Sequence, residues 1–129
     1  MRLLLDTCAL LALAEGTLPR AAAEALATAE QALISPVVPW ELAIKVKTGK
    51  LMLADPPLLW VENLAARHQL TLSPGGLDAA LLCAAADLPL LHRDPFDRVL
   101  IATAQVHRST LMTSDQTIPE YPDIEVIWK

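Results

Sequence analysis

The 129-residue sequence has too few cysteines for a disulfide framework: only Cys8 and Cys83 occur, and no Cys-x-x-Cys is present. Both are expected to be small buried hydrophobes. A zinc protease is disfavoured, because there is no His-Glu-x-x-His, and Thr48-Gly49-Lys50 lacks the earlier glycine and the following Ser or Thr of a phosphate-binding loop. No apolar run approaches the ~18 residues that cross a bilayer. The Met-Arg-Leu-Leu-Leu start resembles a signal peptide, but Asp6 and Glu15 interrupt it, so a cytoplasmic location is expected. Excess positive charge is missing too. The net charge of −5 argues against a partner whose phosphates supply most of the affinity. Aromatics are scarce (three Trp, one Tyr, one Phe), which leaves little material for base stacking, and the tryptophans are expected in the core or an interface. Repeats, low-complexity tracts and linkers are absent, so residues 1–129 are expected to form one domain.

What is present is apolar: 53% hydrophobic residues and a mean hydropathy of +0.38, which predict helices buried on more than one face. Short apolar runs alternate with helical patterns. Strands are predicted at 2–5, 32–34, 70–72, 111–113 and 124–128. Helices are predicted at 7–14, 20–31, 38–48, 57–68, 77–86 and 95–108, with Gly16, Pro19, Gly49 and the loop 73–76 as punctuation. Leu77, Leu81 and Leu82 are expected on one buried face, and Val99, Ile101, Ala102 and Val106 largely buried. Strands separated by helices imply parallel pairing with right-handed crossovers, hence a three-layer α/β/α sandwich with a mostly parallel central sheet. Ligands of such sheets bind beyond the carboxyl ends of the strands.

Acidic residues follow those ends. Asp6 ends the first strand, Asp115 lies two residues past the fourth, and Glu41 and Asp97 sit in the opening turns of two helices. Four converging carboxylates suit hard cations such as Mg²⁺ or Mn²⁺. Two such ions add +4 and bring −5 to −1, which weakens the charge objection to nucleic acid. Bound divalent metal lowers the pKa of water and steadies charge at phosphorus, as phosphodiester hydrolysis requires. Taken singly, each acid has an ordinary explanation. Asp6 can cap the first helix. Asp97 can join a capping arrangement with Asp94 at N-cap and Pro95 at N1. Glu41 and Lys45 can be a surface i,i+4 pair, and Asp115 a turn residue. Those explanations do not account for an acid ending a buried Leu-Leu-Leu strand, nor for Glu41 within Val37-Val-Pro-Trp-Glu-Leu-Ala-Ile44.

Taken together and in order, the motifs are specific. Leu3-Leu-Leu-Asp6-Thr7, Ser35-Pro-Val-Val-Pro-Trp-Glu41-Leu-Ala-Ile-Lys45 with Gly49-Lys-Leu51, Leu88-Pro-Leu-Leu-His-Arg-Asp94-Pro-Phe-Asp97-Arg98 running on to Ala104, and Leu111-Met-Thr113-Ser-Asp115 span nearly the whole chain. The chain thereby resembles PIN-domain ribonucleases, in particular VapC-like toxins of toxin–antitoxin pairs. The resemblance implies a PIN-like fold and an endoribonuclease requiring Mg²⁺ or Mn²⁺. It implies Asp6, Glu41, Asp97 and Asp115 as metal-binding catalytic acids, with Thr7, Asp94, Arg98 and Thr113 in support. It further implies structured RNA substrates such as tRNA or rRNA, a homodimer, and a VapB-like antitoxin that occupies the active-site groove. One departure is Cys8, where many members of the subgroup carry His.

Arg93 and Arg98 read equally as phosphate contacts or as solvated charge, with Arg98 nearer the site. Lys45, Lys47 and Lys50 read as a basic rim for RNA or, rather more simply, as charges that complement a helix dipole. His92 reads as structural before it reads as an RNA contact, and His68 and His107 fall near helix ends without a role. Two other enzyme classes place an Asp after the first strand of a similar sheet. A haloacid-dehalogenase-type phosphatase requires a second Asp at position 8, which is Cys. A phospho-acceptor domain requires an acidic pair before its first helix and a Lys after its last strand, and neither is evident. A catalytically silent interaction domain of the same fold is the non-enzyme alternative, opposed by the intact set of four acids.

Overall fold

A computed structural model describes residues 1–72 and 77–129; the loop expected at 73–76 lies outside them. Five strands, β1 (Arg2–Leu5), β2 (Gln31–Ile34), β3 (Thr71–Leu72), β4 (Thr110–Met112) and β5 (Glu125–Ile127), form one sheet in the order β3-β2-β1-β4-β5. All four pairings are parallel, with Leu4 of β1 opposite Leu33 on one side and Leu111 on the other. The helices among the described residues are α1 (Thr7–Glu15), α2 (Arg20–Thr28), α3 (Val37–Lys47), α4 (Pro57–His68), α5 (Ala79–Asp87) and α6 (Pro95–His107). Right-handed crossovers set the helices that follow β1 and β2 on one face, and α5 and α6 on the other. This is the expected α/β/α architecture, and its sheet is parallel throughout.

β1 is central because both of its faces must be covered: Leu3, Leu4 and Leu5 are almost wholly buried, as the continuous apolar run requires. They pack with Ile34, Leu42, Leu100, Ile101, Leu111 and Met112. The chain moves outward from β1 through β2 to β3, then returns to β4 on the other side of β1. The order therefore reverses between β1 and β4, and a crevice opens there at the carboxyl edge.

Local chemistry sets the helix ends. Asp6 caps α1, its Oδ1 accepting the Ala9 N–H at 2.7 Å, and Gly16 closes α1 at φ 73°. Gly49 follows α3 with φ 76°. Several expectations require correction. α2 stops at Thr28, because Gln31 already pairs with Arg2 in the sheet. β4 runs 110–112 rather than 111–113. α5 begins at Ala79, since Asp78 caps it by accepting the Leu81 N–H at 2.9 Å. Only Leu81 of the proposed leucine face is buried, while Leu77 and Leu82 are exposed. Val106 is 62% exposed, facing away from the sheet near the end of α6. Of the tryptophans expected in the core or an interface, Trp60 and Trp128 pack partly against the core, and Trp40, 61% exposed, is left with the interface reading, which no contact in this single chain tests. Both cysteines are exposed rather than buried, Cys8 projecting from the first turn of α1 and Cys83 from the outer side of α5. Among the described residues no helix is long and apolar enough to cross a membrane.

Candidate metal centre

At the β1/β4 reversal lies a small pocket of about 140 Å³ whose lining includes Asp6, Glu41, Asp97 and Asp115. Four acids distant in sequence thus share one cavity. A larger cleft of about 850 Å³, between Leu88, Arg108, Ser109 and Glu125, lies toward the other edge, where β4 and β5 begin. It holds no such convergence, and chemistry rather than volume identifies the site.

Each acid is held by its own element. Asp6 is carried out of the sheet by β1, and its amide donates to the Met112 carbonyl at 3.1 Å, which ties the β1 exit to β4. Glu41 sits on the second turn of α3, only 6% exposed. The Thr7 hydroxyl donates to its Oε1 at 2.6 Å, and Lys45 Nζ lies 2.9 Å from its Oε2. The i,i+4 pair expected from sequence therefore exists, yet its acidic member is buried in the pocket wall. Asp97 enters from the first turn of α6. Trp40 and Phe96, each preceding one of these acids, meet edge to face at 5.2 Å and 74°, which fixes α3 against α6 and so Glu41 relative to Asp97. Asp115 follows β4. Its amide donates to Thr113 Oγ1 at 3.1 Å, and its Oδ1 accepts the N–H groups of Thr117 (2.7 Å) and Ile118 (3.2 Å). A 3-10 turn, Ile118–Glu120, follows this bend, and the sequence reading missed it.

Asp94 and Pro95 take the capping positions expected of them, Asp94 Oδ1 accepting the Phe96 N–H at 2.9 Å. The reciprocal arm of a capping box is not made. The Asp94 amide donates instead to His92 Nδ1 at 3.1 Å, and Asp97 turns to His92 Nε2 at 3.1 Å. His92 Nε2 also lies 2.8 Å from Asp115 Oδ2. Among the described residues, donor atoms of His92, Asp97 and Asp115 all fall within 4.8 Å of one another, and Asp6 and Glu41 line the same pocket outside that tight group. Sequence reasoning read His92 as structural before RNA contact and did not place it between Asp97 and Asp115. Its one available signal was its position five residues before Asp97.

Arg98 fits neither of the readings offered for it, phosphate contact or solvated charge. It is buried, and its guanidinium donates to the carbonyls of Leu88 (2.7 Å), Pro89 (2.9 Å), Ala86 (3.0 Å) and His92 (3.1 Å). It supports the site only by tying the segment that carries His92 to α6. Arg93, Lys47 and Lys50 are exposed, and Lys45 is bound to Glu41.

The electrostatics match a site built for cations. Burial pushes Asp6 above its ordinary value; Thr113 and the Ala9 N–H oppose this, and repulsion from Glu41 and Asp115 adds to it. Asp97 is raised to about 7, first by burial, then by the charge of Asp94, with Asp6 and Glu41 adding and His92 opposing. For Asp115 burial pulls upward, but the bonds from His92, Thr117 and Ile118 outweigh it and leave the carboxyl below its usual value. Cys8, although its surface is open to solvent, lines the same pocket, and partial desolvation there together with the charges of Asp6 and Asp97 pushes its thiol above the usual value. Acids whose negative charge is resisted by burial and by each other are relieved when a divalent ion supplies the missing positive charge.

A parallel α/β sheet with a carboxylate pocket at its topological switch point defines the class. The chain belongs to the PIN domain family, whose model matches residues 3–124. It is 30% identical over 114 residues to Ribonuclease VapC22 of Mycobacterium tuberculosis, covering 86% of this chain and 85% of that protein. Its fold is similar to that in the crystal structure of VapBC2 from Rickettsia felis bound to a DNA fragment from their promoter, with TM-score 0.70, 18% identity and complete coverage of both chains. It is also similar to FitAcB from Neisseria gonorrhoeae, with TM-score 0.58 and 20% identity over 97% of this chain and 96% of that one.

Proposed function

We propose that residues 1–129 act as one PIN domain, an endoribonuclease toxin that depends on Mg²⁺ or Mn²⁺ and cleaves structured RNA such as tRNA or rRNA. The observation that carries this reading is the meeting of Asp6, Glu41, Asp97 and Asp115 around one 140 Å³ pocket. The ribonuclease relative, 30% identical over most of both chains, supports the activity. The all-oxygen acid set fits a hard cation. Asp6, Glu41 and Asp97 would hold it, and Asp115, whose oxygens already take three hydrogen bonds, would hold or orient it. When bound, such an ion activates water and neutralises charge gained at phosphorus.

The chain's own residues do the rest. Thr7 and Lys45 fix both oxygens of Glu41, and the Ala9 N–H orients Asp6. The acids thus stand preorganised before an ion arrives. By analogy with the VapBC2 and FitAcB structures, a VapB-like antitoxin is the proposed regulator, acting on a homodimer in the cytoplasm.

The direct test is cleavage of a structured RNA with and without millimolar Mg²⁺ or Mn²⁺, beside an Asp6→Asn variant. Metal-dependent cleavage lost in the variant is expected; equal cleavage by both proteins rejects the site. Metal is also expected to raise the melting temperature, because only the assembled pocket binds it. An ion at ten times its Kd adds ~1.4 kcal/mol, a shift of several degrees for a chain of this size. A melting temperature unmoved by 10 mM metal in differential scanning fluorimetry contradicts binding of that strength.

A further inference from the structure

The resemblance in sequence and the four acids leave His92 without a task, yet few side chains in the molecule are more completely fixed. Its backbone N–H donates to the buried Tyr121 hydroxyl at 2.7 Å, and its carbonyl accepts from Arg98 at 3.1 Å. Its Nδ1 accepts the Asp94 N–H at 3.1 Å. Its Nε2 reaches Asp115 Oδ2 at 2.8 Å and Asp97 Oδ2 at 3.1 Å. Main chain and both ring nitrogens are therefore all engaged.

Two roles fit a histidine between two carboxylates. It can be a third metal ligand, since its nitrogen and the two carboxylate oxygens lie close enough to surround one ion. Alternatively it can be a donor that holds the carboxylates. The hydrogen-bond pattern decides between them. A backbone N–H points at Nδ1, so Nδ1 presents its lone pair and the ring proton lies on Nε2. An Nε2 that carries a proton has no lone pair for a metal.

We infer that His92 is a positioning residue whose Nε2–H bridges Asp97 and Asp115, and that it is not a metal ligand. Asp97 comes from α6 and Asp115 from the end of β4, on separate elements whose carboxylates repel one another. A single shared N–H offsets that repulsion and aims both at the same point. Asp94, Tyr121 and Arg98 keep the ring and its main chain in place. Residues that orient ligands in this way typically govern metal affinity by tenfold or more when removed. The inference rests on the metal-binding reading above.

The test uses the full chain. Long-range proton–nitrogen correlation from the imidazole carbons reads which ring nitrogen is protonated, with and without MgCl₂. Backbone amide shifts at Asp6, Asp97 and Asp115 report in parallel whether Mg²⁺ enters the pocket. The expected result is pocket shifts on adding Mg²⁺ with His92 still protonated at Nε2. Transfer of the proton to Nδ1 on metal addition overturns the inference and makes His92 a ligand, while pocket amides that never move reject the metal reading itself. Mn²⁺ binding, followed by loss of the free-ion electron paramagnetic resonance signal, then measures the effect. His92→Ala is expected to weaken Mn²⁺ binding about tenfold or more. His92→Gln, which can return an amide N–H near the Nε2 position, is expected to recover most of that loss. An unchanged Kd in His92→Ala, or no recovery by His92→Gln, overturns the proposal. Should His92→Ala fail to fold, the glutamine variant and the parent's imidazole spectrum still decide it.

Discussion

Asp97→Asn is expected to lower metal-dependent RNA cleavage by ~10²-fold or more, about 2.7 kcal/mol of barrier, while the variant remains folded. The same substitution is expected to make the metal-free protein more stable at neutral pH. The sign follows from the carboxyl being raised from 3.8 to about 7 in the folded chain. The folded state holds that proton more tightly than the unfolded state does. Its contribution is complete below about pH 4 and is lost as pH rises to 7 and beyond. Asparagine carries no charge and escapes the loss. The variant should therefore exceed the parent by on the order of 1–2 kcal/mol at pH 8, after allowance for solvent screening, and match it near pH 4. Saturating Mg²⁺ should narrow or reverse the difference, because the ion stabilises only the parent's carboxylate. Urea unfolding at pH 4 and pH 8, with EDTA and with Mg²⁺, measures all of this. A variant less stable than the parent at pH 8 without metal would show that Asp97 serves folding rather than an ion.

Much of this site is written in local pattern, because its acids sit where secondary structure changes. Leu3-Leu4-Leu5 has to be buried on both faces, so the first polar residue after it, Asp6, marks the strand end and the sheet edge at once. Asp94-Pro95 announces a helix start by cap chemistry, which places Asp97 on the first turn. For Asp6 the ordinary role does not exclude a place in the pocket: it caps α1 through Oδ1 and also lines the cavity shared with Glu41, Asp97 and Asp115. Glu41 is similar, a helix-pair partner of Lys45 whose other oxygen takes the Thr7 hydroxyl.

What the sequence concealed depends on partners far along the chain. Nothing near position 92 announces that Tyr121 will accept its amide or Asp115 its ring. The 3-10 turn at 118–120 follows a bend in which Asp115 Oδ1 accepts the Thr117 and Ile118 N–H groups, and a three-residue turn leaves no periodic signal. The extra length given to α2 came from its alanines, whose helix propensity yields to strand pairing between Gln31 and Arg2. The cap at Asp78 was legible by rule, and the apolar Leu77 drew the helix start past it.

Arg98→Ala is expected to destabilise the fold by about 3 kcal/mol, more than any surface charge could account for. Arg98 forms no ion pair among the described residues. Its positive charge is met by carbonyls, two of which, Ala86 and Leu88, belong to the end of α5, where unpaired carbonyls and the negative end of the helix dipole converge. The other two, Pro89 and His92, belong to the segment leading to Asp94. One planar fork therefore closes α5, fixes the connection and anchors it to α6, on which Arg98 stands. Alanine leaves these acceptors without a donor, although water can reach those nearest the surface. Lysine keeps the charge but not the fork, so Arg98→Lys should recover only part of the loss. Because His92 hangs from the same segment, Arg98→Lys should also weaken Mn²⁺ binding, by less than His92→Ala does. Urea denaturation with an unchanged m-value measures the first effect, and Mn²⁺ titration of the folded variant the second. A phosphate contact would behave oppositely, with stability within ~0.5 kcal/mol of the parent, unaltered metal affinity and weaker RNA binding. That pattern would return Arg98 to the substrate face and remove the support assigned here to His92.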